Sequence, residues 1–263
     1  MAYPREFIFP NQQPPELARY GLGTEVLTPY NCLLIEAAGK TVLVDTGTGP
    51  VDMAQATAGR LLASLADAGL ATDDIDMVVI THGHADHVGG LAKDGKPVFG
   101  RARHYLARAE WDFWMSEEAR TRVPESLADM LISTARGGLT AIADAGILEQ
   151  IDPPMSPLPG ITLLAAPGHT PGHLALELAE ADQPLLYLAD AVLHELQFEH
   201  PDWTSLVDVD PPTTVQTRRA LLDRATDSDL LLAAFHIGNT GHAARDGDRY
   251  RFTATAPIRA SSR

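Results

Sequence analysis

The sequence predicts an α/β fold, and three observations carry that prediction. Short apolar, β-branched runs recur along the chain with helix-like segments between them. Several of these runs end directly in a histidine or an aspartate, so that ligand-type side chains sit at strand ends, as α/β architectures place them. The 263 residues, 45% of them hydrophobic, can bury one sizeable core, which favours a single large domain.

Residues 1–24 carry scattered prolines and no periodicity, and are expected to form an N-terminal arm laid over the domain or a partner subunit, or a lip over the active site. The domain proper is placed at 25–263. Met1 to Gln12 lacks both a basic start and a continuous apolar stretch, and no later segment reaches about 18 uninterrupted apolar residues. No membrane partner and a cytoplasmic location are therefore expected. A formal net charge of -15 argues against a nucleic-acid partner, because phosphate binding draws on Lys and Arg.

Tyr30 to Glu36 and Thr41 to Asp45 are strand-like runs joined by Ala37-Ala38-Gly39-Lys40, which reads as a hairpin. Cys32, the single cysteine, lies in an apolar run and is expected to be a buried, inert thiol. Asp45 ends the second strand, either as a turn former or as an acceptor that orients a ligand histidine. Leu61 to Gly69 reads as an amphipathic helix stopped by its glycine.

The next strand, Ile75 to Ile80, delivers Thr81-His82-Gly83-His84-Ala85-Asp86-His87-Val88-Gly89-Gly90 onto a loop. His82 and His84 alternate with glycine, so on an extended backbone their rings point the same way. A tight turn would let Asp86 and His87 face a second position nearby, which suggests two metals. Imidazole nitrogen with carboxylate oxygen suits zinc, with iron, manganese or cobalt as alternatives.

From about 102 to 150 the character changes. Tyr105, Trp111, Phe113 and Trp114 sit at helix-like spacing among charged residues, and two or three inserted helices are expected there. Trp111 and Trp114 are either core or the apolar wall of a substrate pocket. Ile161 to Ala166 then delivers Pro167-Gly168-His169-Thr170-Pro171-Gly172-His173; Leu185 to Ala189 ends in Asp190; Leu230 to Phe235 ends in His236. Each is an apolar strand followed by one ligand-type side chain.

Together, His-x-His-x-Asp-His, Pro-Gly-His-Thr-Pro-Gly-His, a strand-end Asp and a strand-end His resemble the metallo-β-lactamase superfamily from about Asn31 to His242. The resemblance implies an αββα sandwich, two mixed β-sheets flanked by helices, with a dinuclear zinc site in the cleft. It also implies that His82, His84 and His169 hold one metal, that Asp86, His87 and His236 hold the other, and that Asp190 bridges them. His173 and His242 are then supporting or core residues.

Within the superfamily, His84 stands where the flavodiiron branch usually has Glu, and Gly83 where glyoxalase II typically has His. Asp190 is present where lactamases with this first motif lack a bridging Asp. The tail from Phe235 to His242, the run Val207-Asp208-Val209-Asp210-Pro211 and the later Asp-Gly-Asp-Arg-Tyr-Arg-Phe look most similar to the branch of methyl parathion hydrolase and quorum-quenching lactonases. Those lactonases often place a Tyr where this chain has Leu193.

The resemblance thus implies a hydrolase that opens lactones or cleaves carboxylic esters with a solvent oxygen bridging two ions, with phosphotriesterase promiscuity as a side activity. Asp86 or Asp190 would carry the proton to the leaving group, Asp190 being the stronger candidate. A thioesterase or β-lactamase-like hydrolase is the alternative, and a non-catalytic metal-containing binding protein the third reading. Leu193, His194 and Phe198 are placed at the entrance as substrate contacts, although His194 and His200 also suit an ordinary surface. A homodimer is implied, with the aromatic segment or the arm as the contact.

Overall fold

The computed structural model describes residues 1–49, 58–179 and 183–257. The last residues of the expected domain, 258–263, lie outside them.

Leu33–Ala37 and Lys40–Val44 form the expected antiparallel hairpin. Its two turn residues, Ala38 and Gly39, both take positive φ (51° and 72°), the geometry that matches a two-residue turn to the twist of its strands. Lys40–Val44 then pairs in parallel with Met77–Val79, which pairs in parallel with Arg103–Ala107, which pairs in parallel with Leu148–Ile151. This five-stranded mixed sheet faces a seven-stranded one. In the second sheet Leu185–Tyr187 and Leu231–Ala233 are the parallel pair, and the remaining neighbours, from Met155–Leu158 to Arg249–Pro257, run antiparallel.

Alternation along the strands explains the layering. Val42, Val44, Met77 and Val79 point between the sheets and meet Leu163, Leu174, Leu176, Tyr187 and Phe235. Leu43, Val78 and Ile80 point the other way, into a layer completed by Leu65 of helix Leu61–Asp67, by Trp114 of helix Arg108–Met115 and by Ile132, Ala135 and Leu139 of helix Ala128–Asp144. Leu186, Leu232 and Ala234 likewise cover Leu221, Leu222 and Ala225 of helix Pro211–Asp227. A strand buried on both faces reads as a continuous apolar run, which is why Ile75 to Ile80 was legible. The result is helix, sheet, sheet, helix.

Two expectations change in detail. The stretch 102–150 does hold helices Arg108–Met115, Glu118–Arg122 and Ala128–Asp144, but its two ends are strands of the first sheet, Arg103–Ala107 and Leu148–Ile151. The helical part is thus a crossover between neighbouring parallel strands. Residues 1–24 are not irregular: Ala2–Pro4 pairs with Glu25–Leu27, and helices Arg5–Ile8 and Pro14–Ala18 follow. Ile8, Phe9, Leu17 and Val26 close a small apolar cluster on Trp203. Helices of four or five residues are too short to print a period in the sequence.

Because Lys40–Val44, Met77–Val79 and Arg103–Ala107 run parallel, their C-terminal ends share one edge. Leu185–Tyr187 and Leu231–Ala233 share theirs in the second sheet. The candidate ligands leave from these edges.

Candidate metal centre

The strand Met77–Val79 is followed by Ile80 to Gly83, outside any regular element, and by His84, whose extended backbone (φ -67°, ψ 153°) leads into the short helix Ala85–Val88. The turn expected at Asp86 and His87 is therefore one turn of helix. His82 and His84 do present nitrogens to one point: His82 Nε2 lies 3.0 Å from His84 Nδ1, which lies 3.0 Å from His169 Nε2. His236 Nε2 is 3.4 Å from Asp86 Oδ2, and His87 Nε2 is 3.8 Å from Asp86 Oδ1. Asp190 Oδ2 sits between the two sets, 3.3 Å from Nε2 of His87, His169 and His236 and 3.7 Å from that of His82.

The 3.3–3.4 Å spacings around Asp190 Oδ2 and between His236 and Asp86 fit metal ions better than they fit hydrogen bonds. Donors held about 2.0–2.1 Å from a tetrahedral zinc lie about 3.3–3.4 Å from one another, the edge of the tetrahedron. His87 Nε2 is moreover buried with no hydrogen-bond partner among the described residues, a cost that coordination would remove. Among the described residues, three groups linked by shared histidines bring their ligand atoms close enough to hold an ion: His82 with His84 and His169, His82 with His87 and Asp190, and Asp86 with His87 and His236.

The far side of three of the rings is fixed. His87 Nδ1 lies 2.8 Å from Asp45 Oδ2, His169 Nδ1 2.8 Å from Asp208 Oδ1, and His236 Nδ1 3.0 Å from the Pro29 carbonyl. Donation from Nδ1 leaves the Nε2 lone pair of each facing inward. His173 donates from Nδ1 to the Ala166 carbonyl (3.0 Å) and accepts the Asp190 N–H at Nε2 (3.1 Å), so it steadies the aspartate.

Burial, reinforced by the neighbouring imidazoles, lowers His82 and His84 well below the usual histidine value and keeps both neutral. Burial also takes His173 down to about 3. For His169 and His236 burial works the same way, but Asp190 outweighs it, with Asp208 beside the first and Asp86 beside the second, and raises each to about 9. Burial opposes the charge of Asp86, yet His87 and His236 hold its carboxyl at about 2. The Asp86 side chain is 18% exposed, against 3% for Asp190, so the centre opens to solvent beside Asp86.

Other expected site residues fall elsewhere. His242 is not behind the ligands: it lies on the strand Asn239–Asp246, 3.2 Å from Asp229 Oδ1 and 2.9 Å from Gln183 Nε2. Phe198 is buried and stacks on Phe252 in the outer layer of the second sheet, so it has no face to offer a substrate. Trp114 is also fully buried, edge-on to His84 at 5.6 Å, and Trp111 packs half-buried against the same layer. Trp114 supports the site from behind, while Trp111 only packs on that layer. Leu193 is buried and its N–H donates to Gln197 Oε1 at 2.7 Å; the half-buried His194 meets Phe9 of the N-terminal segment at 5.3 Å. Cys32 is half-buried, and burial pushes its thiol up, in keeping with an inert role.

Three supporting features escaped the sequence reading. Asp208 lay in an Asp-rich run with nothing to single it out. Glu110 accepts from Gly83 N–H (2.8 Å), Trp114 Nε1 (2.6 Å), Thr170 Oγ1 (2.7 Å) and Gly172 N–H (2.9 Å). Its signal was indirect: a glycine in each ligand motif. The Tyr3 hydroxyl bonds to that of Tyr30, whose ring lies edge-on to His236 at 5.2 Å, so the start of the chain reaches the open side of the centre.

Residues 26–236 match the profile of the Metallo-beta-lactamase superfamily. The metallo-beta-lactamase domain-containing protein 1 of Mus musculus is 48% identical over 58 residues, 22% of this chain, and the chain spans only 20% of that protein's length. An N-acyl homoserine lactonase of Bacillus sp is 26% identical over 190 residues, 65% of this chain and 67% of that one. Among solved structures, AidC, described as a dizinc quorum-quenching lactonase in complex with a product, superposes with a TM-score of 0.87 at 25% identity, covering 98% of this chain and 92% of its own.

Proposed function

The chain belongs to the metallo-β-lactamase superfamily of hydrolases, and on that premise we propose that it is a dinuclear zinc enzyme that opens lactones or cleaves carboxylic esters. One observation carries the reading: Asp190 Oδ2 stands 3.3–3.7 Å from Nε2 of His82, His87, His169 and His236, between the two ligand sets. His82, His84 and His169 would hold one ion, Asp86, His87 and His236 the other, and Asp190 both. Bound there, the ions would supply Lewis acidity toward a carbonyl oxygen and activate water as a nucleophile near neutral pH.

The protein's own groups do the rest. Asp45, Asp208 and the Pro29 carbonyl fix the rings of His87, His169 and His236, so the coordinating lone pairs are set before substrate arrives. With Oδ2 between the ligand sets, Asp190 Oδ1 has no hydrogen-bond partner among the described residues and is free to hold a proton for the leaving alkoxide. Asp86 flanks the exposed side, where an ester or lactone would enter. A net charge of -15 suits a neutral substrate better than a polyanion.

Hydrolysis of a panel of an aliphatic lactone, an acyl-homoserine lactone, an aryl ester, a thioester and a phosphotriester by zinc-loaded enzyme tests the reading. Lactone or ester turnover should dominate, stop on chelation and return with zinc. Preference for the thioester would replace the substrate class, and absence of all turnover would overturn the enzymatic reading.

A further inference from the structure

The ligands of the His82, His84 and His169 position come from two loops that lie far apart in the chain, one leaving each sheet. Their geometry is only as good as the link between those loops. One backbone bond joins them, Leu174 N–H to the Thr81 carbonyl at 2.9 Å. The other link is a side chain.

Glu110, fully buried on helix Arg108–Met115, divides its oxygens between the loops. Oε1 accepts from Gly83 N–H, between His82 and His84, and from Trp114, whose ring meets His84. Oε2 accepts from Thr170 Oγ1 and Gly172 N–H, just after His169. The approach is too close for a side chain on either loop: a Cβ at Gly83 would fall 2.3 Å from Trp114 Nε1, and one at Gly172 would fall 2.2 Å from Glu110 N. A carboxylate is acceptor-only and satisfies all four donors. A glutamine, in either orientation, turns an NH2 toward one pair of donors and breaks one loop's hold.

We infer that Glu110 is a positioning residue that sets the spacing of the His82, His84 and His169 ligands by clamping their two loops to one helix. The inference rests on the dinuclear reading. It requires that losing the clamp weaken one ion selectively, because Asp86, His87 and His236 make no bond to Glu110. Residues that orient metal ligands typically change affinity about 10- to 100-fold when substituted.

The test is equilibrium dialysis against buffered zinc of wild type, Glu110→Gln and Thr170→Val, with the thermal unfolding of each ion-free protein and imidazole 15N spectra. Wild type should hold two zinc ions. Glu110→Gln should keep one at near wild-type affinity and bind the other about 10- to 100-fold more weakly. The lost coordination shifts should be those of His82, His84 and His169. Thr170→Val, which removes one donor and no charge, should move the same ion less. Equal affinity for both ions in Glu110→Gln, or an equal loss of both, would overturn the inference. Should Glu110→Gln not fold, Thr170→Val indistinguishable from wild type would do so. A wild type unable to hold two ions would fail the dinuclear reading itself, and the inference with it.

Discussion

Asp45 Oδ2 lies 2.8 Å from His87 Nδ1, and the residue that makes this contact stands at φ 63° with its other bonds to Thr81 N–H and Oγ1, each 2.8 Å. One buried carboxylate thus fixes the ring of a proposed metal ligand and the start of its loop together. Asp and Asn tolerate that left-handed backbone better than Ala. Asp45→Ala should therefore weaken the ion beside His87 about 10- to 100-fold, and Asp45→Asn less, read by competition with a chromophoric chelator. Equal, wild-type affinity in both variants would show that the contact orients nothing.

Asp208 plays the corresponding part for His169, with Oδ1 on the ring and Oδ2 accepting from Ser205 N–H at 2.7 Å. Asp208→Asn should lower kcat more than it raises KM, because the ring it steadies is that of a proposed metal ligand. A change confined to KM would place Asp208 in substrate binding.

His169 and His236 are both raised from 6.5 to about 9, with burial opposing and Asp190 prevailing. A histidine raised on folding contributes stability that is complete below its unfolded value and is lost as pH rises through its folded value. The ion-free protein should therefore lose stability between pH 6.5 and about 9. Zinc requires neutral imidazoles, so its stabilising effect should grow over the same range. Thermal unfolding with and without chelator measures both slopes, and a chelated protein whose Tm rises across that window contradicts the account.

Phe198 belongs to the packing of the second sheet against its outer layer. Phe198→Ala should cost about 3–5 kcal/mol of stability and leave the ranking of substrates unchanged. A reordered ranking at undiminished stability would return Phe198 to the pocket.

The cluster was legible because each group of candidate ligands lies within a few residues of the end of an apolar strand, and Met77–Val79, Leu185–Tyr187 and Leu231–Ala233 end where the sequence placed them to within a few residues. Local pattern fails where a role is set by a distant partner. Asp45 was read as a turn former or an acceptor, and only the fold brings His87 to it. Glu110 stood in an aromatic stripe whose spacing described a helix face, and Asp208 stood among other aspartates. His242 misled for the same reason in reverse: it follows His236 closely in sequence, but the strand Asn239–Asp246 carries it away to Asp229. The tryptophans were read as core or pocket, and burial of Trp114 decides for core.

Turnover of a lactone titrated against zinc equivalents, beginning from fully chelated protein, tests the central claim most directly. With Asp190 placed between two ligand sets, activity should climb to a plateau at two zinc ions per chain, and Asp190→Asn should lose that plateau. A plateau at one zinc ion, or an Asp190→Asn variant as active as wild type, would contradict the account.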